Sequence, residues 1–465
     1  MLQALSSVGI DVGSSTTQLL FSRLELEDSS AGFSAPEVKI TARRVTYRGK
    51  IHPTPLLDGT RIDARELRKI VEGEYAAAGI GIGSTDTGAV IITGESARKE
   101  NAAAVLAELS GFAGDFVVAT AGPDLESRLA GQGSGAQEIS RRRGCRVVNI
   151  DVGGGTSNLA FFENGSLVGC ACHDIGGKLL LFDVNGEICG VSSAGRAVCG
   201  LLGLAPPLGQ NELERLADAL AGALFDAALC RANPLLELTR TLGSSPPPQS
   251  FDGLISFSGG VADCIWSTGL PSLAYGDFGV YLGAAIRRHP LFGAVIPAEE
   301  TIRATVIGAG SHATELSGST VFYSSAELLP LRNLPCYEPT EELENELWRG
   351  GEKMRLAAEY GVFLRQTDCS CAVLCLRGRE NPSFSELTSL ADSLAAGLTG
   401  EPLVVAICED NAKALGTLLS RRTEKPLLVL DSIKAGSGTY LDIGRPVLGG
   451  SALPVVVKTL IFGTQ

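Results

Sequence analysis

Two short stretches constrain this chain more than anything else in it. They are Gly9-Ile10-Asp11-Val12-Gly13-Ser14-Ser15-Thr16-Thr17 and Ile150-Asp151-Val152-Gly153-Gly154-Gly155-Thr156-Ser157-Asn158. Both follow one plan: an apolar run ends in Asp, glycines and hydroxyl residues follow, and a second apolar run begins. That plan predicts strand, tight turn, strand. Glycines let backbone N–H groups approach phosphate oxygens, and hydroxyls add donors. Gly13, Ser14, Ser15, Thr16, Thr17, Gly153, Gly154, Gly155, Thr156 and Ser157 are therefore the expected cradle for a nucleoside triphosphate, ATP. A carboxylate is repelled by phosphate but suits a hydrated Mg²⁺, which keeps several waters and takes few protein oxygens. Asp11 and Asp151 are the expected metal-side groups. One Gly-rich turn is common in any fold. Two, with Asp at the same place 140 positions apart, predict related lobes facing each other across a cleft. Neither loop fits G-x-x-x-x-G-K-[ST] or G-x-G-x-x-G, so P-loop and dinucleotide folds drop out.

The rest of the chain reads as alternating strands and helices. Asp63–Ala78 has helical spacing and stops at Gly79; Ala89–Thr93 reads as a short strand and Glu100–Leu109 as a helix. Phe116–Ala119 is strand-like, Leu125–Ile139 helical, and Arg141–Arg143 a solvated basic turn. Asn211–Ala228 is a long helix, Leu254–Phe257 a strand, and Thr305–Gly308 a further strand. Beyond about residue 320 come a charged helix, Glu341–Glu359, and then a β-α-β-α-β run from Cys371 to Leu430. That order predicts a partly parallel sheet. The expected division is 1–145 and 146–320 for the two lobes and 321–465 for an added α/β region.

Charge and cysteine usage exclude several classes. The net charge of −13 argues against a nucleic-acid binder, which needs a basic face. No run of 18 apolar residues and no basic leader are present, so neither a membrane span nor export is expected, and a cytoplasmic location follows. The twelve cysteines lack paired C-x-x-C spacing and read as free, mostly buried thiols rather than a zinc site.

Further segments resemble those of the actin/Hsp70/sugar-kinase superfamily. Phe257-Ser258-Gly259-Gly260-Val261-Ala262 is similar to its adenosine motif, which implies that Gly259 and Gly260 lie against base and ribose. Glu126–Gly135 resembles the helix that bacterial actins place between the two loops, where an acidic residue positions the attacking water. Glu126 is the matching candidate for a catalytic role, and an ordinary helix carboxylate is the competing reading. Asp174-Ile175-Gly176-Gly177 resembles the Gly-Gly turn of Hsp70 proteins, or else ends a hairpin. The fold implied is α/β, a two-lobed actin-like (ribonuclease-H-like) ATPase with a C-terminal addition.

Gly94-Glu95-Ser96-Ala97-Arg98-Lys99-Glu100-Asn101, the Asp151 loop, His173-Asp174-Ile175-Gly176-Gly177 and Pro454-Val455-Val456-Val457-Lys458-Thr459-Leu460 together resemble the ethanolamine ammonia-lyase reactivating factors, the EutA family. The resemblance spans essentially the whole chain. It implies an ATP-dependent, chaperone-like reactivase with weak ATPase activity. Such a factor releases damaged cobalamin from the adenosylcobalamin-dependent lyase so that intact coenzyme can enter. The lyase is then the implied partner, with a homodimer and a bacterial microcompartment as further candidates. Two rivals use the same fold: a small-molecule kinase, for which no substrate-side carboxylate signature is evident, and an actin-like scaffold, which would polymerise with ATP.

Overall fold

A computed structural model describes residues 3–13, 15–28, 38–57, 61–93, 101, 105, 108–109, 112, 123–205, 207–241, 247–312, 315–316, 321–433, 435–446 and 453–458. Ser14, Phe116–Ala119 and most of the expected Glu100–Leu109 helix lie outside the described residues.

The first sheet contains β1 (Gln3–Val12), β2 (Thr16–Asp28), β3 (Val38–Arg48), β4 (His52–Pro53) and β5 (Thr87–Ile92). Its order is β3-β2-β1-β5, antiparallel except for the β1–β5 pair, with β4 beside β2. Alternation decides which side chains enter the core. Val8, Ile10 and Val12 bury one face against Leu67, Val71 and Tyr75 of α1 (Ala64–Ala78). Asp63 caps α1 by accepting the N–H groups of Arg65 and Glu66, and left-handed Gly79 ends it.

Two helices come next, α2 (Pro123–Gly133) and α3 (Ala136–Arg143). They replace the single helix expected over Leu125–Ile139, because Gly135, at φ 83°, breaks the path. Arg141–Arg143 form the last turn of α3 rather than a free turn, where cations favour the helix dipole.

The second sheet holds β6 (Arg146–Val152), β7 (Ser157–Glu163), β8 (Ser166–His173), β11 (Leu254–Ser258) and β12 (Val295–Ile296). Its order, β12-β11-β6-β7-β8, repeats the first: three antiparallel strands, then parallel ones. A small ribbon of β9 (Leu180–Phe182) and β10 (Ile188–Val191) intervenes. Around the sheet lie α4 (Ser193–Leu201), α5 (Gln210–Ala228), α6 (Pro234–Thr239), α7 (Gly260–Trp266) and α8 (Gly279–Arg288). Leu216, Leu220, Leu224 and Phe225 of α5 share one large core with Ile150, Leu159 and Phe257.

The segment Thr305–Gly308, expected as a strand, lies inside a helix, α9 (Ala304–His312). A four-residue run with three β-branched residues carries too little periodicity to separate a buried strand from a buried helix. Here packing decides. The α9 helix crosses α2 and lies on β1, β2 and β5, whereas α2 lies on β6, β7 and β8. Positions 123–143 thus pack with the second sheet, and positions 304–312 return to the first. Ala89, Ile91, Leu129 and Ala309 form a small core where the two meet.

The remaining residues build a third sheet in the order β13-β20-β19-β15-β16-β17-β18-β14. Its strands are β13 (Glu315–Leu316), β14 (Phe322–Tyr323), β15 (Leu331–Tyr337), β16 (Val373–Leu376), β17 (Leu403–Ile407), β18 (Leu427–Asp431), β19 (Tyr440–Ile443) and β20 (Pro454–Lys458). The strands β15 to β18 run parallel. Helices α10 (Glu341–Trp348), α11 (Lys353–Gln366), α12 (Phe384–Gly397) and α13 (Ala412–Leu419) accompany them. The first two replace the single helix expected over Glu341–Glu359 and are parted at Gly350 and Gly351. Among the described residues no helix is long and apolar enough to cross a membrane, and no cluster of His, Cys, Asp and Glu fits a metal ion.

Candidate functional site

The two loops have the same local construction. Gly13 N–H donates to the Thr16 carbonyl at 2.9 Å, and Gly153 N–H to the Thr156 carbonyl at 2.9 Å. Asp11 stands opposite Gln18 and Asp151 opposite Asn158 in the hairpin registers. The loops meet: a Cβ on Gly154 would overlap the hydroxyl of Ser15.

Each Asp is buried and held by a hydroxyl from the neighbouring parallel strand. Thr93, just after β5, donates to Asp11 Oδ1 at 3.0 Å. Ser258, the last residue of β11, donates to Asp151 Oδ1 at 2.5 Å and accepts from Asn149 Nδ2 at 2.9 Å. Thr305 of α9 reaches Asp151 Oδ2 at 3.5 Å, a contact between lobes. Burial raises the Asp11 carboxyl to about 7, with the Thr93 hydrogen bond opposing the shift and the Asp151 charge adding to it. Burial likewise raises Asp151 to about 6, against the hydrogen bonds from Ser258 and Thr305. Two carboxylates sharing a desolvated cleft repel each other, and a bound cation would relieve both penalties.

Other expected residues have more specific placements. Thr17 and Ser157 occupy equivalent positions, and both hydroxyls make contacts within the protein. Thr17 Oγ1 lies 3.1 Å from Thr54 Oγ1, and Ser157 Oγ donates to the Ile175 carbonyl at 2.7 Å. Thr54 further fixes the first loop, donating from Oγ1 to Gly13 O at 2.7 Å and from its N–H to Ser15 O at 3.0 Å. Gly259 adopts φ 85°, and a Cβ there would overlap the Val152 carbonyl, so glycine is required for close packing under the second loop. Gly260 is open: a Cβ there would have Ile302 Cδ1, at 3.9 Å, as its nearest contact. Glu126 is buried in the first turn of α2. Asp174 N–H donates to Thr239 O, and the turn beyond it is tied to the second loop through Gly177 N–H to Gly153 O at 3.0 Å.

The structure adds residues that the sequence reading missed. Among the described residues Gln18 Oε1 and Asn158 Oδ1 are buried and have no hydrogen-bond partner, while the amide nitrogens donate to Ile302 O and Thr156 Oγ1 at 3.2 and 3.4 Å. Directly opposite residues in a hairpin share a face, so each amide flanks one of the Asp carboxylates. Ser15 Oγ is also buried, and it has no partner among the described residues. Unpaired buried polar atoms are costly, and acceptors beside two carboxylates fit a cation with its water shell. Each amide lies seven residues after its Asp, a match that superposing the loops would have revealed. Lys178 follows Gly177, and its side chain passes the second loop, with Cδ 3.5 Å from where a Gly154 Cβ would stand. No loop spacing announces it.

Duplicated sheets of one strand order, paired Asp loops across the cleft and helices exchanged between lobes define a two-lobed protein of the actin-like, ribonuclease-H-like class. The family profile described as "Ethanolamine utilisation protein EutA" matches residues 3–463, and the chain belongs to that family. It is 37% identical over 471 residues to the ethanolamine ammonia-lyase reactivase EutA of Salmonella typhimurium, covering 98% of each chain. The protein of that name from Escherichia coli K12 is 37% identical over 468 residues, again with 98% of each covered. Among solved structures, similarity extends to the Aquifex aeolicus PPX-GPPA enzyme, with 14% identity, a TM-score of 0.38, and 66% of this chain and 99% of that one covered. It also extends to the ethanolamine utilization protein EutJ of Carboxydothermus hydrogenoformans, with 14% identity, a TM-score of 0.33, and 66% and 89% covered.

Proposed function

We propose that this chain is an ATP- and Mg²⁺-dependent reactivase of adenosylcobalamin-dependent ethanolamine ammonia-lyase. It would promote loss of damaged cobalamin and its exchange for intact coenzyme. The observation that carries the reading is the match, over essentially the full length of both chains, to relatives bearing that name. The duplicated Asp loops support the choice of nucleotide and metal.

In this reading Asp11 and Asp151 hold the metal ion, with Gln18 and Asn158 accepting from its waters. Gly13, Ser15 and Thr16 face Gly153, Gly154, Gly155 and Thr156 across the phosphate chain; Ser14 belongs to the same loop. Gly260 borders the nucleoside, and Glu126 orients the attacking water. Bound Mg²⁺–ATP supplies the γ-phosphoryl group and the charge that both loops can share. Each lobe contributes one loop, so a ligand engaging both biases how closely the lobes sit, a population shift set by differential contacts. A homodimer and a microcompartment location go with the reading through the family alone.

The test mixes the protein with cyanocobalamin-blocked lyase and fresh adenosylcobalamin, with and without ATP. The wild-type chain should restore activity only with ATP. Asp11→Ala and Asp151→Ala should lose at least about tenfold of that effect, the scale of removing a charged ligand. Glu126→Gln should bind ATP normally and slow its hydrolysis. No restoration by the wild-type chain would dismiss the reading.

A further inference from the structure

The turn after β8 brings a cation to the place where the two loops touch. Gly177 N–H and Lys178 N–H donate to the carbonyls of Gly153 and Gly154, at 3.0 and 2.7 Å. The approach is close: a Cβ on Gly176 would stand 2.5 Å from Gly154 O and 2.8 Å from Gly153 O. The Lys178 backbone is therefore part of the second loop's support, and its half-buried side chain runs over Gly154. That glycine also faces Ser15 of the first loop. Asp277 lies beside the turn, where a Cβ on Gly177 would stand 3.1 Å from its Oδ2. It accepts Gly279 N–H at 2.8 Å at the start of α8 and lies in the field of Lys178. Phe278 N–H donates to Gly177 O at 2.8 Å, so the turn and α8 form one supported unit.

Charge makes this placement informative. Asp11 and Asp151 put two carboxylates in the cleft that a polyphosphate must enter. A metal ion offsets part of the repulsion. An ammonium beside the loop junction offsets more, because ammonium–phosphate hydrogen bonds are charge-assisted and lie in a partly desolvated cleft. We propose that Lys178 binds the polyphosphate chain of the nucleotide and, held on the second loop by its backbone bonds, sets the preference for triphosphate over diphosphate. This rests on the nucleotide reading above and extends it to a residue outside both loop motifs.

Binding of ATP, ADP, adenosine and inorganic tripolyphosphate would be measured by calorimetry with Mg²⁺, for wild type, Lys178→Met and Lys178→Arg. Methionine keeps the apolar stem over Gly154 and removes the charge; arginine keeps the charge. Lys178→Met should weaken ATP and tripolyphosphate roughly tenfold or more and ADP less, the loss expected for a charge-assisted contact. It should leave adenosine affinity and the melting temperature unchanged. Lys178→Arg should retain most of the triphosphate affinity. In the wild-type chain, Mg²⁺–ATP should shield Lys178 from amine-directed acylation read by mass spectrometry, and adenosine should not. Equal ATP affinity for wild type and Lys178→Met, or no shielding by ATP, would overturn this assignment alone. A wild-type chain that binds none of the four ligands would overturn it together with the nucleotide reading.

Discussion

Burial sets the acid–base behaviour of His173, the last residue of β8. Desolvation, with a smaller contribution from the Arg240 charge, lowers it from 6.5 to about 4, so the ring is neutral at physiological pH. The folded value lies below the ordinary one. Its contribution to stability is therefore fully present above pH 6.5 and is lost as pH falls towards 4. The loss is on the order of 3 kcal/mol. His173→Gln should flatten the pH dependence of the melting temperature in that window, whereas loss of carboxylate contacts such as that of Glu74, whose carboxyl sits below its ordinary 4.5, belongs to more acid pH. An unchanged slope for the variant would assign the acid sensitivity elsewhere. At this scale the loop carboxylates were legible from sequence because Asp after an apolar strand is a local pattern. Gln18 and Asn158 were not, because their place beside those carboxylates comes from cross-strand pairing, which no local pattern marks.

At the crossing of α2 and α9 the lobes approach backbone to backbone, beside the small core that Leu129 and Ala309 share. A Cβ on Gly133 would overlap the Ala304 carbonyl, and one on Gly308 the Leu129 carbonyl. Glycine at both positions lets the helices approach to backbone contact. Gly308→Ala should cost about 2–3 kcal/mol in urea unfolding, the scale of forced overpacking. Gly222→Ala in α5, where an added Cβ would meet nothing within 4 Å outside the helix's own backbone, should be neutral or slightly stabilising. Equal effects would contradict the close crossing. This crossing explains why the Thr305–Gly308 reading failed. Local β-branched residues favour a strand, but the partners that decide the matter lie near residues 10, 90 and 130. Elements with long periodic spacing and their own stop signals, such as α1 with Asp63 and Gly79, needed no such partners and fell where the sequence put them.

The third sheet carries separate cores on its two faces. Leu374, Val405 and Val429 pack with helices α10 to α13, while Val373, Val404 and Leu428 face the other way. Among the described residues neither core includes one from the first two sheets. Calorimetry should therefore resolve two unfolding transitions, and Mg²⁺–ATP should raise only the one belonging to the lobes, since a ligand stabilises the unit that binds it. A single transition, or both rising together, would show the third region to be energetically coupled to the cleft. By itself the sequence determined the duplicated loops, the Asp at each strand end, the β-α-β-α-β order of the third region and the family, all features written in contiguous residues. Tertiary structure alone decided that the helices cross between lobes, that the Thr17 and Ser157 hydroxyls make contacts within the protein, and that Lys178 lies over Gly154. Those outcomes depend on contacts between residues far apart in the chain, and no local pattern of spacing encodes which distant surface a segment will meet.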